Sequence, residues 1–375
     1  MEKYTSDKKL AIVISHPIQY YSPLFRELAK EINLKVFYCF NPTADQQGKD
    51  GFGVAFKWDL DLLEGYEYEF LTNVSEYPSS AYRSGCDTPE VGKSLDVFKP
   101  THVVTFGWHL KSFSQVLKYC KTKSIPIAVR GDSQLDPNQA WFKRLIKKSY
   151  YPFFLNQYDA FLSVGERNKA YLRSFNVPER KIIFSPHAVD QSFWKGEKLI
   201  HESFTFVWVA KFIPLKRVQD VIAAFIFLNK KYSQTRLKLI GTGPLEERAK
   251  NQAKGCSAIS FLGFQNQQAL RKEYLSADCI ILSSESETWG LVVNEAFAAG
   301  LPAIVSSACG CGPDLIDDKS GFVYPTADVK ALGEAMKLMV ENHKNIEVAK
   351  AIERKNEIYS YTSIVSSFKK YMDSF

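Results

Sequence analysis

The chain has no Cys-x-x-Cys pair and no cluster of His and Cys at metal-ligand spacing; its seven cysteines are scattered and odd in number. That pattern excludes a disulfide framework or structural zinc site and points to reduced thiols in a cytoplasmic setting. No apolar run approaches the ~18–20 residues of a membrane span. The run Leu10 to Ile14, after the charged start MEKYTSDKK, is too short for a signal peptide. Any membrane partner is therefore expected at its surface. Twenty Gly and 16 Pro in 375 residues are too few for a fibrous or low-complexity chain. The first strand is followed by SHPIQYYS and not by Gly-x-Gly-x-x-Gly, which disfavours a dehydrogenase. Excess charge is small, with a formal net charge of +7. It favours an anionic partner without naming one. The basic residues are spread out and no RNA-binding motif is present, so nucleic acid is not expected.

What is there reads as two domains in series. LAIVIS (10–15), LKVFYCF (34–40), THVVTF (101–106), SIPIAVRG (124–131) and DAFLSVG (159–165) are short strands separated by helical stretches. After a polar linker, GEKLIHES (196–203), the pattern resumes with FTFVWVA (204–210), RLKLIG (236–241), AISFLG (258–263), DCIILSS (278–284) and LPAIVSS (301–307). Such alternation predicts βαβ units around parallel sheets, hence an α/β chain of two Rossmann-like domains facing across a cleft. The expected boundaries are 1–195, 196–360 and a C-terminal helix, 361–375, crossing back to the first domain. Residues 41–100 read as a long loop or hairpin insertion.

The chemistry concentrates in SESETWGLVVNEAFAAGLPAIVSS, residues 284–307. Glu287 and Glu295 stand eight apart. Gly290 marks the start of a helix that Gly300-Leu301-Pro302 stops. The amino end of such a helix offers unpaired N–H groups and a positive dipole end to an anion. Gly290 lets a diphosphate approach the backbone. Two cations, Lys211 and Lys216, follow strand 204–210, where they suit a diphosphate leaving group. Arg217 beside them reads as solvated. Gly241 and Gly243, in LIGTGP, make a tight turn after the next strand.

With these residues in place, 204–325 resembles the nucleotide-sugar-binding domain of retaining glycosyltransferases of the GT-B fold, family 4. Glu287 to Glu295 matches that family's E-x7-E element. Lys211 and Lys216 match its Arg-x4-Lys pair, with Lys in place of Arg. CGPDLIDDKSGFVYP matches a further stretch at Gly310, Gly312 and Asp314. The resemblance implies that Glu287 binds donor-sugar hydroxyls and Glu295 the ribose. Lys211 and Lys216 would hold the diphosphate, with the N–H groups of Gly290 and Leu291. Thr288 and Trp289 complete this donor stretch, and Phe264 would lie near the base. It also implies transfer without a metal or other cofactor, and a nucleoside diphosphate sugar as donor.

In the first domain, His16 and Gln19 follow strand one, and Tyr20 and Tyr21 can stack on a sugar face. The family often carries a His after the strand that here ends IAVRGDSQ. Arg130 and Asp132 occupy that place, and His109, in FGWHLKS, is a substitute. His16, His109 and Asp132 are thus the candidate catalytic residues of this half, and His187 a further hinge residue. Residues 140–158 combine Lys143, Arg144, Lys147 and Lys148 with Trp141, Phe142, Tyr150, Tyr151, Phe153, Phe154 and Tyr158 and no acid. This suits an anionic membrane surface. The expected function is retaining transfer of a hexose to a saccharide or polyprenyl-linked saccharide in cell-surface polysaccharide synthesis. The expected location is the cytoplasm, peripheral at the membrane's inner face. Two other readings stay open: a nucleotide-sugar epimerase of the same architecture, and a non-catalytic nucleotide-sugar-binding protein.

Overall fold

Short β-branched runs between amphipathic helices need both faces of a sheet covered, and here they form two parallel sheets. The computed structural model describes residues 7–43, 61–136, 139–199, 202–342 and 346–375. The described residues divide into two units, one made of 7–43, 61–187 and 361–375, the other of 188–360.

In the first unit the strands are β1 (Lys9–Ile14), β2 (Asn33–Tyr38), β3 (Glu67–Phe70), β4 (His102–Phe106), β5 (Ile127–Gly131), β6 (Ala160–Ser163) and β7 (Ile182–Phe184). Their order in the sheet is β3-β2-β1-β4-β5-β6-β7, all ladders parallel. Helices Val91–Phe98 and Lys111–Lys123 bury Leu95, Phe113, Val116 and Leu117 with Phe37, Val103 and Phe161 in one core. Helix Tyr361–Ser374 belongs to this unit. It buries Ile364, Val365, Phe368, Tyr371 and Met372, the i, i+1, i+4, i+7, i+8 stripe of an amphipathic helix. Tyr371 Oη donates to the Val103 carbonyl at 3.1 Å, and Ser367 Oγ to Ser185 Oγ at 2.7 Å.

The second unit holds β8 (Phe204–Val209), β9 (Thr235–Ile240), β10 (Ile259–Gly263), β11 (Cys279–Leu282), β12 (Ala303–Ser306) and β13 (Gly321–Tyr324). Their order is β10-β9-β8-β11-β12-β13, again parallel throughout. Helices Val218–Asn229 and Val329–Asn342 cover one core around Phe206, Trp208, Phe225 and Met336.

Residues 41–100 depart from the expected loop or hairpin. Positions 44–60 lie outside the described residues. From 61 onward the chain forms β3, a 3-10 turn at Arg83–Gly85 and helix Val91–Phe98. β3 reads EYEF, poor in aliphatic residues, because it is a sheet edge. On the neighbouring strand Lys35 takes both Glu67 (3.3 Å) and Glu69 (2.9 Å), and the Tyr38 ring meets that of Phe70 at 5.4 Å. Charged residues on an edge strand discourage pairing with another chain.

The C-terminal helix is expected to be an integral part of the first unit's stability. Phe368 is fully buried, so Phe368→Ala should lower unfolding stability by about 3–5 kcal/mol. Denaturant titration of the variant against the parent measures it.

Candidate active site at the switch point of the second sheet

In an open parallel sheet, loops diverge where the strand order reverses, and ligands bind there, outside the carboxyl ends of the strands. In the second unit that point lies between β8 and β11. The two loops on either side are the ones carrying Lys211–Lys216 and Glu287. Side-chain and backbone bonds tie them together. Trp208 Nε1 donates to Ser283 Oγ (2.9 Å), Ser283 Oγ donates to the Lys216 carbonyl (2.7 Å), and Glu285 N–H to the Leu215 carbonyl (2.8 Å). The Lys216 ammonium consequently meets Glu287 Oε2, each side chain 19% exposed. Lys211 sits half-buried earlier in the same loop.

The other side of the Glu287 loop is fixed as well. Gly310 N–H donates to the Glu287 carbonyl at 2.9 Å and Cys311 N–H to the Trp289 carbonyl at 3.0 Å. A Cβ at Gly310 would lie 1.9 Å from the Thr288 carbonyl oxygen, so only glycine allows this approach. Gly290 has φ +107°, and a Cβ there would stand 2.5 Å from Leu282 Cδ2. Helix Leu291–Ala298 starts directly after it. Its first N–H groups, at Leu291 and onward, face the same end of the sheet as Lys216 and Glu287.

Not every donor candidate presents its side chain. Trp289 turns inward: its ring is buried, its Nε1 donates to Asn294 Oδ1 at 2.8 Å, and it packs 5.8 Å from Tyr359. Its indole completes the unit's interior. Thr288 is exposed and Leu291 half-buried. Arg217 is not merely solvated. Its guanidinium binds Asp220 (2.6 Å) and Glu285 (3.2 Å), which orders the loop beside Lys216. Gly241 and Gly243 lie at the end of β9, where a Cβ would be 2.0 Å from the Ala210 carbonyl oxygen or 2.7 Å from that of Phe212. Their small size lets the 242–245 turn bond Phe212, through Phe212 N–H to Thr242 O (2.9 Å) and Leu245 N–H to Phe212 O (2.9 Å). The glycines thereby hold the segment that carries Lys211. Phe264 follows β10, half-buried.

Glu295 is only 8% exposed, on the second turn of helix Leu291–Ala298. Burial pushes its carboxyl up to about 8, against which the Tyr274 hydroxyl, donating at 3.1 Å, acts in the lowering direction. Asp314, buried too, accepts from Tyr359 Oη at 2.9 Å and is part of the packing around Trp289. Asp317 makes a turn, its Oδ1 accepting from Lys319 N–H (3.1 Å) and Ser320 N–H (2.9 Å).

In the first unit, β1, β4 and β5 are neighbours, and His16, Trp108-His109 and Asp132 follow their carboxyl ends. Their partners differ. His16 Nδ1 bonds Ser15 Oγ at 2.9 Å, with its ring 5.2 Å from Phe40. His109 Nε2 faces the Ser80 carbonyl at 3.1 Å. Asp132 Oδ2 lies 4.0 Å from His187 Nε2. Burial, then Arg130, hold His187 well below the usual histidine range, so this pair is not an ion pair at neutral pH. Tyr21 is packed edge-on against Phe106 at 4.7 Å and 6.5 Å from the His187 ring, so its faces serve the fold before any sugar. Arg130, named from the sequence but given no role, has a buried guanidinium that donates to the carbonyls of Ser185 (2.6 Å) and Pro186 (2.8 Å). A lone arginine in the apolar run IAVRG was the available signal.

The fold and the switch-point loops define an α/β chain of the GT-B class. Among solved structures, Anabaena HepE in complex with UDP shares this fold at TM-score 0.72 and 12% identity, over 98% of this chain and 100% of that one. Residues 190–357 match the family of glycosyl transferases group 1. Curated relatives include the sulfoquinovosyl transferase SQD2 of Arabidopsis thaliana, 31% identical over 37% of this chain. Another is the alpha-monoglucosyldiacylglycerol synthase of Acholeplasma laidlawii, 27% identical over 42% of this chain. The aligned stretch spans only 28% of the first relative and 39% of the second.

Glu295 predicts a pH dependence with a definite sign. Its folded-state pKa is raised, so between about 4.5 and about 8 the folded state binds more protons than the unfolded one. Its contribution therefore favours folding at low pH and is lost as pH rises through that window. Glu295→Gln should flatten this part of the stability profile, as read by unfolding midpoints across pH 4.5 to 8.

Proposed function

We propose that this chain is a retaining hexosyltransferase. Its second unit binds a nucleoside diphosphate sugar, and its first unit serves a saccharide or polyprenyl-linked saccharide acceptor. The observation that carries the reading is the junction of Lys216 with Glu287 beside the open end of helix Leu291–Ala298. A cation for the diphosphate and a carboxylate for sugar hydroxyls stand side by side, as the two halves of a sugar diphosphate require. Lys211 and the N–H groups of Gly290 and Leu291 extend the diphosphate side. Glu295 takes the ribose hydroxyls, Phe264 the base, and Gly241 and Gly243 keep the wall open.

In this reading, transfer runs by front-face displacement. The bond between the anomeric carbon and the diphosphate oxygen breaks. The acceptor oxygen joins the same face of that carbon, and its proton passes to the departing diphosphate. Negative charge grows on the leaving group, where Lys211, Lys216 and the helix end stabilise it, so no metal is required. His16, His109 and Asp132 are candidates for steering the acceptor hydroxyl. The name of the Acholeplasma relative, a glucosyldiacylglycerol synthase, supports a lipid-borne acceptor class. We read the chain as a cytoplasmic enzyme working peripherally at the inner membrane face in cell-surface polysaccharide synthesis.

Three measurements test this. A thermal-shift screen of uridine, guanosine and adenosine diphosphate sugars should find one that, at 100 times its dissociation constant, adds ~2.7 kcal/mol of stability. No stabilisation by any of them contradicts donor binding. With that donor, Lys216→Ala and Glu287→Ala should each lower turnover by ~10²–10³ with the fold intact. Release of nucleoside diphosphate only when acceptor is present supports transfer; release or donor isomerisation without acceptor supports the epimerase instead.

A further inference from the structure

Helix Trp141–Leu155 is built the wrong way round for a soluble surface helix. Such helices turn an apolar stripe inward and charges outward. Here only Leu155 is buried, with Tyr151 and Phe154 half-buried against Phe175 and Tyr158, at ring distances of 5.0 and 5.9 Å. At 100° per residue, Trp141, Phe142, Leu145, Ile146, Tyr150 and Phe153 fall on the opposite half of the helix. They are exposed, Trp141 by 77%, Ile146 by 64% and Phe153 by 78%. No charge interrupts that half, while Lys143 and Lys148 border it. Residues 140–158 contain no carboxylate. An apolar face of this kind marks an interface.

The charges select the occupant. A two-fold contact between copies would set these cations against their own counterparts. An anionic bilayer satisfies both parts, taking apolar rings into the headgroup boundary and attracting the flanking cations. Trp141 and Tyr150 carry a polar atom on an apolar ring, which suits that depth. The neighbouring surface continues the pattern. Between this helix and Lys111–Lys123 runs an open groove of about 900 Å³, walled by Tyr150 and Phe154 on one side and by Arg83 and Lys118 on the other. Ser114 Oγ (2.9 Å) and the His109 carbonyl (3.3 Å) hold the Arg83 guanidinium, which meets no carboxylate among the described residues.

We propose that the outward face of helix Trp141–Leu155 enters the headgroup layer of an anionic bilayer, with Arg83 and Lys118 meeting lipid phosphates beside it. This deepens the lipid-borne acceptor reading and rests on it for its purpose. Bilayer binding itself requires neither donor nor transfer.

The test is co-flotation of the full chain with phosphatidylcholine vesicles, with and without phosphatidylglycerol, at low and high salt. The chain should float with the anionic vesicles and lose binding as salt rises. The triple variant Phe142→Ser, Ile146→Ser, Phe153→Ser removes exposed apolar side chains only. It should keep its melting temperature and donor thermal shift while its bound fraction falls at least about tenfold. Failure of the parent to float with anionic vesicles overturns the proposal. So does equal flotation of the triple variant, or a lipid-free dimer that the triple variant abolishes. Flotation without any donor thermal shift would remove the transferase reading and leave bilayer docking standing.

Discussion

A parallel sheet whose strand order reverses cannot close its own loops over the reversal, and the second unit fills that opening with a lysine and a glutamate. The contact between Lys216 and Glu287 depends on almost everything around it. Ser283 and Leu215 tie the two loops together, Gly310 lets a third strand-end loop press on Thr288, and Gly290 lets the helix begin at once. Remove any of these and the two charges need not meet. The glycines are therefore structural in one sense and functional in another. They are sites where a Cβ would push apart the loops that position the charges.

The two glutamates of the motif show how environment divides labour between identical groups. Glu287 is half-buried against the Lys216 ammonium. Glu295, eight residues on, is buried against Tyr274 and raised to about 8. A ligand that donates hydroxyl hydrogens to it would favour the charged form, so binding and proton release are coupled at this carboxylate. The same contrast holds between units. The second concentrates ordered cations, whereas in the first a buried Arg130 organises backbone carbonyls and His187 is neutral.

Most of the architecture was legible because β-branched runs of five or six residues alternate with helical stretches. β3, β7 and β13 were not. EYEF is charged at a sheet edge, IIF is only three residues long, and GFVY begins with a glycine. In the site, spacing identified Lys211, Lys216, Glu287, Gly290 and Glu295 as a group, but spacing does not say which way a side chain points. Hence the inward turn of Trp289 and the burial of Glu295 were missed. The signal was present in LVVNEAFA, a helix with almost no polar face, which reads as buried on nearly all sides. Arg217 was taken as solvated because its partners, Asp220 and Glu285, come from a helix and from a loop remote in sequence.

The position of the donor's diphosphate is decisive. A crystal of the protein soaked with the nucleoside diphosphate sugar that binds it should show the diphosphate against the N–H groups of Gly290 and Leu291 and the Lys216 ammonium, with a hexose hydroxyl on Glu287. Density for that compound elsewhere on the second unit, with Lys216 and Glu287 still locked on each other, would contradict it.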